Sequence, residues 1–165
     1  MASGKSTVAA ALAATFERGV HIEGDVFRRF IVAGREAVTP GAGLEATAQL
    51  QLRYQLVAEA ARQYVRLNFA VVVEDVFAGP MLGEFLRLLD YRPLHVVVLL
   101  PTEEAIARRE KARASDGYSA WTVAELYRIF AQETERLGLW LDTSDQTPEQ
   151  TVREILARAG EALFS

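Results

Sequence analysis

The 165-residue chain contains no cysteine and no long apolar run. The absence of cysteine excludes disulfide bonds and thiolate metal sites, and it makes a reducing cytoplasm the expected location. No apolar run approaches the roughly 20 residues of a membrane-spanning helix, so a membrane is not an expected partner. Half of the residues are hydrophobic, which argues against disorder. The length suits one domain, residues 1–165, with a real core.

The chain also has little lysine and histidine. Its only lysines are Lys5 and Lys111, and the net charge is −4. This acidic balance makes a nucleic-acid partner an unfavourable interpretation, although it leaves room for a local basic pocket. The two histidines, His21 and His95, have no ligand partners at a known metal spacing and are interpreted as structural.

One of the two lysines stands in a phosphate-binding pattern. Gly4-Lys5-Ser6-Thr7 opens an alanine-rich segment and matches the second half of a P-loop, Gly-x-x-x-x-Gly-Lys-Ser/Thr. Glycine lets backbone N–H groups approach phosphate oxygens, lysine neutralises the β- and γ-phosphates, and the serine hydroxyl can ligate Mg²⁺. The following helix directs its positive end at the anion. The pattern predicts ATP and Mg²⁺ as cofactors, with Gly4 to Thr7 binding the nucleotide.

The first half of this pattern is absent. The first glycine of the motif should lie five residues before Gly4, ahead of Met1, and the strand that delivers the loop should lie earlier still. We favour the interpretation that preceding residues are missing; a degenerate site is the alternative. A signal peptide is a further alternative, but the run is mostly alanine and turns at once to Glu17-Arg18.

Apolar periodicity predicts alternating helices and strands. The first helix is expected from Gly4 to Arg18, with Gly19 as its stop, and the second from Val26 to Ala33. A third, long helix is expected from Leu44 to Leu67, and its apolar stripe with Leu44, Leu52 and Leu56 is expected to face inward. Four strands are expected at Val20–Glu23, Phe69–Val73, His95–Leu100 and Leu139–Leu141. Further helices follow Met81, Thr102, Thr122 and Thr147. Strands separated by helices predict an α/β fold, a parallel sheet with helices on both faces and its first strand missing.

Several of these segments together resemble the small P-loop kinases, the group of chloramphenicol phosphotransferase, gluconate and shikimate kinases and the nucleoside monophosphate kinases. The resemblance spans nearly the whole chain. It is carried by Gly4 to Thr7, Gly24 to Arg28, Val71 to Asp75, Arg108 to Arg113, and Leu141 to Thr143 before Thr147-Pro148. In such kinases the P-loop strand lies between the strands that here end at Asp75 and Leu100, so the resemblance implies a gap in the middle of the sheet.

The resemblance also implies roles for residues at the carboxyl ends of the strands. Asp25 would contact the acceptor hydroxyl and serve as general base, with Arg28 and Asp75 on the substrate side. Glu74 would join Ser6 in holding Mg²⁺, partly through water. Each residue also has a structural interpretation: Asp25 as a helix cap, Arg28 as solvated surface, and the acidic pair as turn carboxylates.

The basic stretch after residue 107 resembles a lid. Arg109 and Arg113, four residues apart on one helix face, would close over the phosphates and join Lys5 as catalytic residues, in a lid region of about 108–120. The alternative is a solvent face with ion pairs to Glu104 and Glu110. The function implied is an ATP- and Mg²⁺-dependent phosphotransferase acting on a small molecule. A polynucleotide or nucleoside kinase and a non-catalytic nucleotide-binding module are the alternatives, and the oligomeric state stays open.

Overall fold

The computed structural model describes residues 2–37, 39, 41–112 and 122–164. The helices are α1 (Lys5–Ala13), α2 (Asp25–Arg29), α3 (Leu44–Arg66), α4 (Met81–Leu89), α5 (Glu103–Ala112), α6 (Val123–Arg128) and α7 (Pro148–Ala157), with a π-helical turn at Ile129–Glu133 after α6. The strands are β1 (Gly19–Glu23), β2 (Ala70–Glu74), β3 (Leu94–His95), β4 (Val97–Leu99), β5 (Leu139–Leu141) and β6 (Leu163–Phe164). This alternation confirms the α/β class that the sequence predicted.

The strands form separate pairs. β1 pairs with β2 in parallel, Gly19 opposite Ala70 and Glu23 opposite Glu74. β4 pairs in parallel with β5, while β3 and β6 form a short antiparallel pair. Within the described residues no ladder joins β2 to β4. The residues of β4, and all but the last of β2, are therefore only half-buried, although their apolar sequences are typical of strands covered on both faces.

Two main apolar clusters hold these pairs. One packs α3 and α4 against the β1–β2 pair around Ile22, Tyr54 and Val57. The other packs α1 and α7 against the β4–β5 pair around Val8, Leu141 and Ile155. α1 also contacts β2, so it touches both halves of the fold. No helix in the described ranges is both long and apolar enough to cross a membrane.

The first helix is shorter than predicted. It ends at Ala13 instead of Arg18, and Gly19, predicted as its stop, is the first residue of β1. A Cβ at Gly19 would overlap the carbonyl of Ala13, so glycine is needed here for close approach rather than for a cap. α2 likewise ends at Arg29 rather than Ala33.

The inward face predicted for α3 was wrong. Leu44, Leu52 and Leu56 are exposed, whereas Leu50, Tyr54, Val57 and Ala58 are buried. The helix is apolar on two faces, and periodicity alone gave no reason to choose between them. The predicted strand His95–Leu100 is also divided, because Val96 separates β3 from β4, and β6 was not predicted.

Candidate nucleotide and acceptor site

The tip of α1 lies against the carboxyl end of β2. Gly4 precedes the helix with φ of 88°, in the left-handed region that favours glycine. The Lys5 Nζ lies 3.1 Å from the Glu74 Oε2, and the Ser6 Oγ donates a 2.7 Å hydrogen bond to the Glu74 Oε1. Glu74 is buried, and Lys5 and Ser6 each contact one of its two carboxylate oxygens. The structure thus brings together Lys5, Ser6 and Glu74, three residues singled out from the sequence.

The next residue of the chain, Asp75, points to α3. Its Oδ1 lies 3.1 Å from the Arg53 Nη2 and accepts a 2.7 Å hydrogen bond from the Val76 N–H. Its side chain is 3% exposed, and its Oδ2 is buried without a hydrogen-bond partner in the described part of the chain. Little of the Asp75 side chain is open to solvent, and its predicted contact with an acceptor stays a prediction.

Burial also changes the protonation of Asp75. It raises the pKa of this carboxyl from 3.8 to about 6, against the opposing effect of the Arg53 guanidinium. The Val76 N–H and Lys5 lower the pKa too, while the neighbouring charge of Glu74 raises it. The carboxyl therefore changes its charge nearer to neutral pH than an ordinary aspartate does.

Asp25 is the open carboxylate of this cluster. It begins α2, directly after β1, and its side chain is 46% exposed. Its Oδ1 lies 3.6 Å from the Arg53 Nη1, and its Oδ2 accepts a 3.1 Å hydrogen bond from the Arg29 Nη1. Arg53 thus bridges Asp25 and Asp75, which fixes two carboxylates at the ends of two neighbouring strands.

Gly24 provides the space for this arrangement. A Cβ at Gly24 would overlap the Asp75 carboxylate. Gly24 has φ of −62°, which any residue adopts, so its importance lies in the missing side chain. Its N–H donates a 2.9 Å hydrogen bond to the Glu74 carbonyl, which continues the β1–β2 ladder to the site.

Of the two arginines predicted to belong to the lid, the structure describes Arg109 and does not describe Arg113. Arg109 donates from Nη2 to the carbonyls of Thr143, at 2.6 Å, and Ser144, at 3.3 Å, and from Nη1 to that of Ser3, at 3.4 Å. In this conformation it ties α5 to the loop after β5 and to the segment before Gly4. Arg113 and most of the predicted lid lie outside the described residues.

Two further predicted residues, Thr7 and Arg28, lie at the edge of the site. Thr7 is exposed on the first turn of α1. Arg28 is half-buried and donates a 3.3 Å hydrogen bond from Nη2 to the Glu36 carbonyl. Arg53 was missed in the sequence, although a signal existed. It is a basic residue near the middle of α3, directly before Tyr54, which belongs to the buried face of the helix.

The donor set fits Mg²⁺ held jointly with phosphate. The Ser6 hydroxyl and Glu74 carboxylate are hard oxygen donors already in contact. The described ranges contain no group of three or more acidic or histidine side chains able to hold a metal ion alone. Mg²⁺ commonly takes one or two protein ligands and completes its shell with water and substrate phosphate, so this small donor set is compatible with it.

The α/β fold is similar to that of a P-loop kinase-like structure, and a family model matches most of the chain. Residues 1–135 match the family described as AAA domain, and the chain belongs to that family. It is also similar to a solved structure from Chloroflexus aurantiacus J-10-fl, described as a "putative kinase". That similarity covers 98% of this chain and 92% of the other, with a TM-score of 0.58 and 14% sequence identity, and it concerns the fold. No curated protein matches the chain.

Proposed function

We propose that the protein is an ATP-dependent phosphotransferase that uses Mg²⁺ and acts on a small molecule. The observation that carries the proposal is the contact of Lys5 and Ser6 with Glu74 at the tip of α1. A cation, a hydroxyl and free backbone N–H groups converge there, which suits a phosphate chain. The family and the fold support a nucleotide at this place.

Nucleotide binding would change the partners of Lys5. Its ammonium would leave the Glu74 Oε2 for the β- and γ-phosphates, and the first N–H groups of α1 would donate to phosphate oxygens. Ser6 and Glu74 would then hold Mg²⁺, which supplies charge neutralisation on the phosphates. Arg109 would position the loop at Thr143 and Ser144, and its predicted catalytic role, like that of Arg113, stays a proposal.

The transfer itself needs one acceptor hydroxyl and one base. The hydroxyl oxygen bonds to the γ-phosphorus, the bond from that phosphorus to the β–γ bridging oxygen breaks, and ADP leaves with the electron pair. Asp25, the exposed carboxylate, orients the hydroxyl and receives its proton. Arg53 and the buried Asp75 keep Asp25 in place.

Acceptor-dependent formation of ADP tests this function. Wild-type protein with ATP and Mg²⁺ should form ADP faster with one member of a panel of sugars, nucleosides and aminoglycoside-like alcohols. Lys5→Ala should abolish that turnover with the fold intact by circular dichroism, whereas Arg66→Ala, at the exposed far end of α3, should retain it. Normal turnover in Lys5→Ala would refute the phosphate role of Lys5. ATP binding without turnover for any acceptor would favour the non-catalytic module.

A further inference from the structure

A cavity of about 230 Å³ lies between α2 and α3, bordered by Arg53. Its apolar wall consists of Phe27, Phe30, Ile31, Leu50, Leu52 and Leu56. An apolar cavity of roughly 150 Å³ is enough for a benzene ring. The space therefore fits one ring, or a branched chain of similar size, with a few substituents.

Part of the wall is exposed in the absence of an occupant. Phe30 is 67% exposed, Leu52 48% and Leu56 41%. The Phe27 and Phe30 rings meet edge to face with centroids 5.7 Å apart, so Phe30 is held at the mouth. An apolar body in the cavity would remove this surface from water, which favours binding.

The charged and polar groups at the cavity differ in whether they already have partners. Arg53 is neutralised by Asp25 and Asp75, as described above. The Gln49 amide is also engaged, since it donates to Gly34 and Glu45 and accepts from the Glu36 N–H. Because Arg53 and Gln49 are already engaged, Arg28 is the cation at this cavity that can bind a ligand.

Arg28 has one backbone partner and, in the part of the chain that the structure describes, no ion pair with a carboxylate. Its neighbour Glu36 also lines the cavity and is exposed to solvent; the Glu36 carbonyl accepts from Arg28, and the Glu36 N–H donates to Gln49. A half-buried guanidinium with free donors beside an apolar cavity is suited to a carboxylate or a phosphomonoester.

We propose that this cavity is the acceptor site, and that the acceptor is a small molecule with an apolar body of about one ring and one anionic group bound by Arg28. The proposal rests on the proposed function, because Arg53 links the cavity wall to Asp25, the carboxylate that would orient the acceptor hydroxyl. It excludes polyhydroxylated sugars as good ligands, since their hydroxyls would lose water against the apolar wall.

Equilibrium binding without nucleotide tests the acceptor class separately from phosphoryl transfer. The probes are 4-hydroxyphenylacetate, its neutral amide, and gluconate, which carries the same charge on a polyhydroxylated body. Isothermal titration calorimetry should show the aryl acid binding about 10- to 100-fold more tightly than either comparison compound, as expected for a charge-assisted contact and an apolar body.

Variants assign the preference to Arg28. In Arg28→Gln the aryl acid and its amide should bind equally, and Arg28→Lys should recover part of the preference. Arg35→Gln, which removes a nearby exposed charge outside the cavity, should behave as wild type. Equal binding of acid and amide by wild type, equal effects of the Arg28 and Arg35 changes, or no saturable binding of the aryl acid would overturn the proposal.

The same titration separates the two proposals. Lys5→Ala should bind the aryl acid as wild type does, because Lys5 lies at the phosphate site. If ATP fails to bind while the aryl acid binds, the proposed function falls and the cavity assignment stands. If ATP turns over with a neutral or polyhydroxylated acceptor only, the acceptor class falls and the phosphotransferase stands.

Discussion

At the scale of single residues, two aspartates that follow the ends of neighbouring strands have different environments. Asp25 and Asp75 share Arg53, yet Asp25 is open to solvent and Asp75 is buried. Burial penalises the charged form of Asp75 and raises its pKa to about 6. The open carboxylate is therefore suited to meet an acceptor, and the buried one to hold the arginine that orients it.

Asp25→Asn is expected to lower the turnover rate far more than it weakens ATP affinity. The amide keeps most of the shape of the side chain but loses the charge that receives the proton, and Lys5 and Ser6 are untouched. A loss of about 100-fold in kcat is typical for such a base. Steady-state kinetics checks it, with Asp90→Asn on the exposed end of α4 as a matched control. A wild-type rate in Asp25→Asn would remove Asp25 from the chemistry.

Asp75→Asn is expected to change how stability depends on pH. The folded pKa of Asp75 lies above its unfolded value of 3.8, so its neutral form is favoured by folding. That contribution is present below pH 3.8 and is lost as pH rises through about 6. The stability of the wild type relative to Asp75→Asn should therefore fall by about 3 kcal/mol between pH 3.5 and 8, taking roughly 1.36 kcal/mol per pKa unit.

Urea denaturation of both proteins across that range measures the difference. The absolute offset between the two proteins does not matter, because only its change with pH reports the titration. A difference that stays constant with pH, or that grows in favour of the wild type, would contradict the raised pKa of Asp75.

At the scale of elements, the site depends on the close approach of the β1–α2 turn to the end of β2. Gly24 has no side chain at the point where the Asp75 carboxylate lies. A Cβ at residue 24 would therefore force the Asp75 side chain or the turn to move. This constraint is steric, because the backbone of Gly24 is compatible with any residue.

Gly24→Ala should destabilise the protein by about 1–3 kcal/mol, the usual cost of forcing a methyl group into filled space. Gly160→Ala is the matched control, because a Cβ there would meet no atom within 4 Å. It should stay within roughly 0.5 kcal/mol of wild type. Chemical denaturation measures both, and the penalty of Gly24→Ala should shrink in an Asp75→Ala background. Equal behaviour of the two glycine variants would contradict the close approach.

The sequence predicted where the helices and strands lie better than it predicted which face of a helix is buried. β1, β2 and β5 were expected within about a residue, because short apolar runs between polar turns are typical of buried strands. The capping boxes at Thr122 and Thr147 predicted the starts of α6 and α7 correctly, but the helix after Thr122 was expected to reach Gly138, and its helical turns end at Glu133. The inward face of α3 was not predictable, since tertiary packing chose one of two apolar faces, and Arg53 was missed with it.

At the scale of the whole molecule, α1 joins two halves of the fold. It packs on β2 in one half and on α7 in the other, and its tip carries Lys5 and Ser6. The sequence predicted that helix from a short motif, and the resemblance to small P-loop kinases implied a gap in the middle of the sheet. It did not predict the ion pair of Lys5 with Glu74, because that contact depends on how β2 meets the helix.

The central claim is that the tip of α1 binds the phosphate chain of a nucleotide, with Lys5 exchanging Glu74 for phosphate. Calorimetric titration of ATP with Mg²⁺ into wild type and Lys5→Ala tests it most directly. We predict one ATP-binding site in the wild type and weak binding of AMP. In Lys5→Ala the affinity for ATP should be lowered about 10- to 100-fold, because a charged hydrogen-bond donor is lost. Equal ATP affinity in the two proteins would contradict the claim.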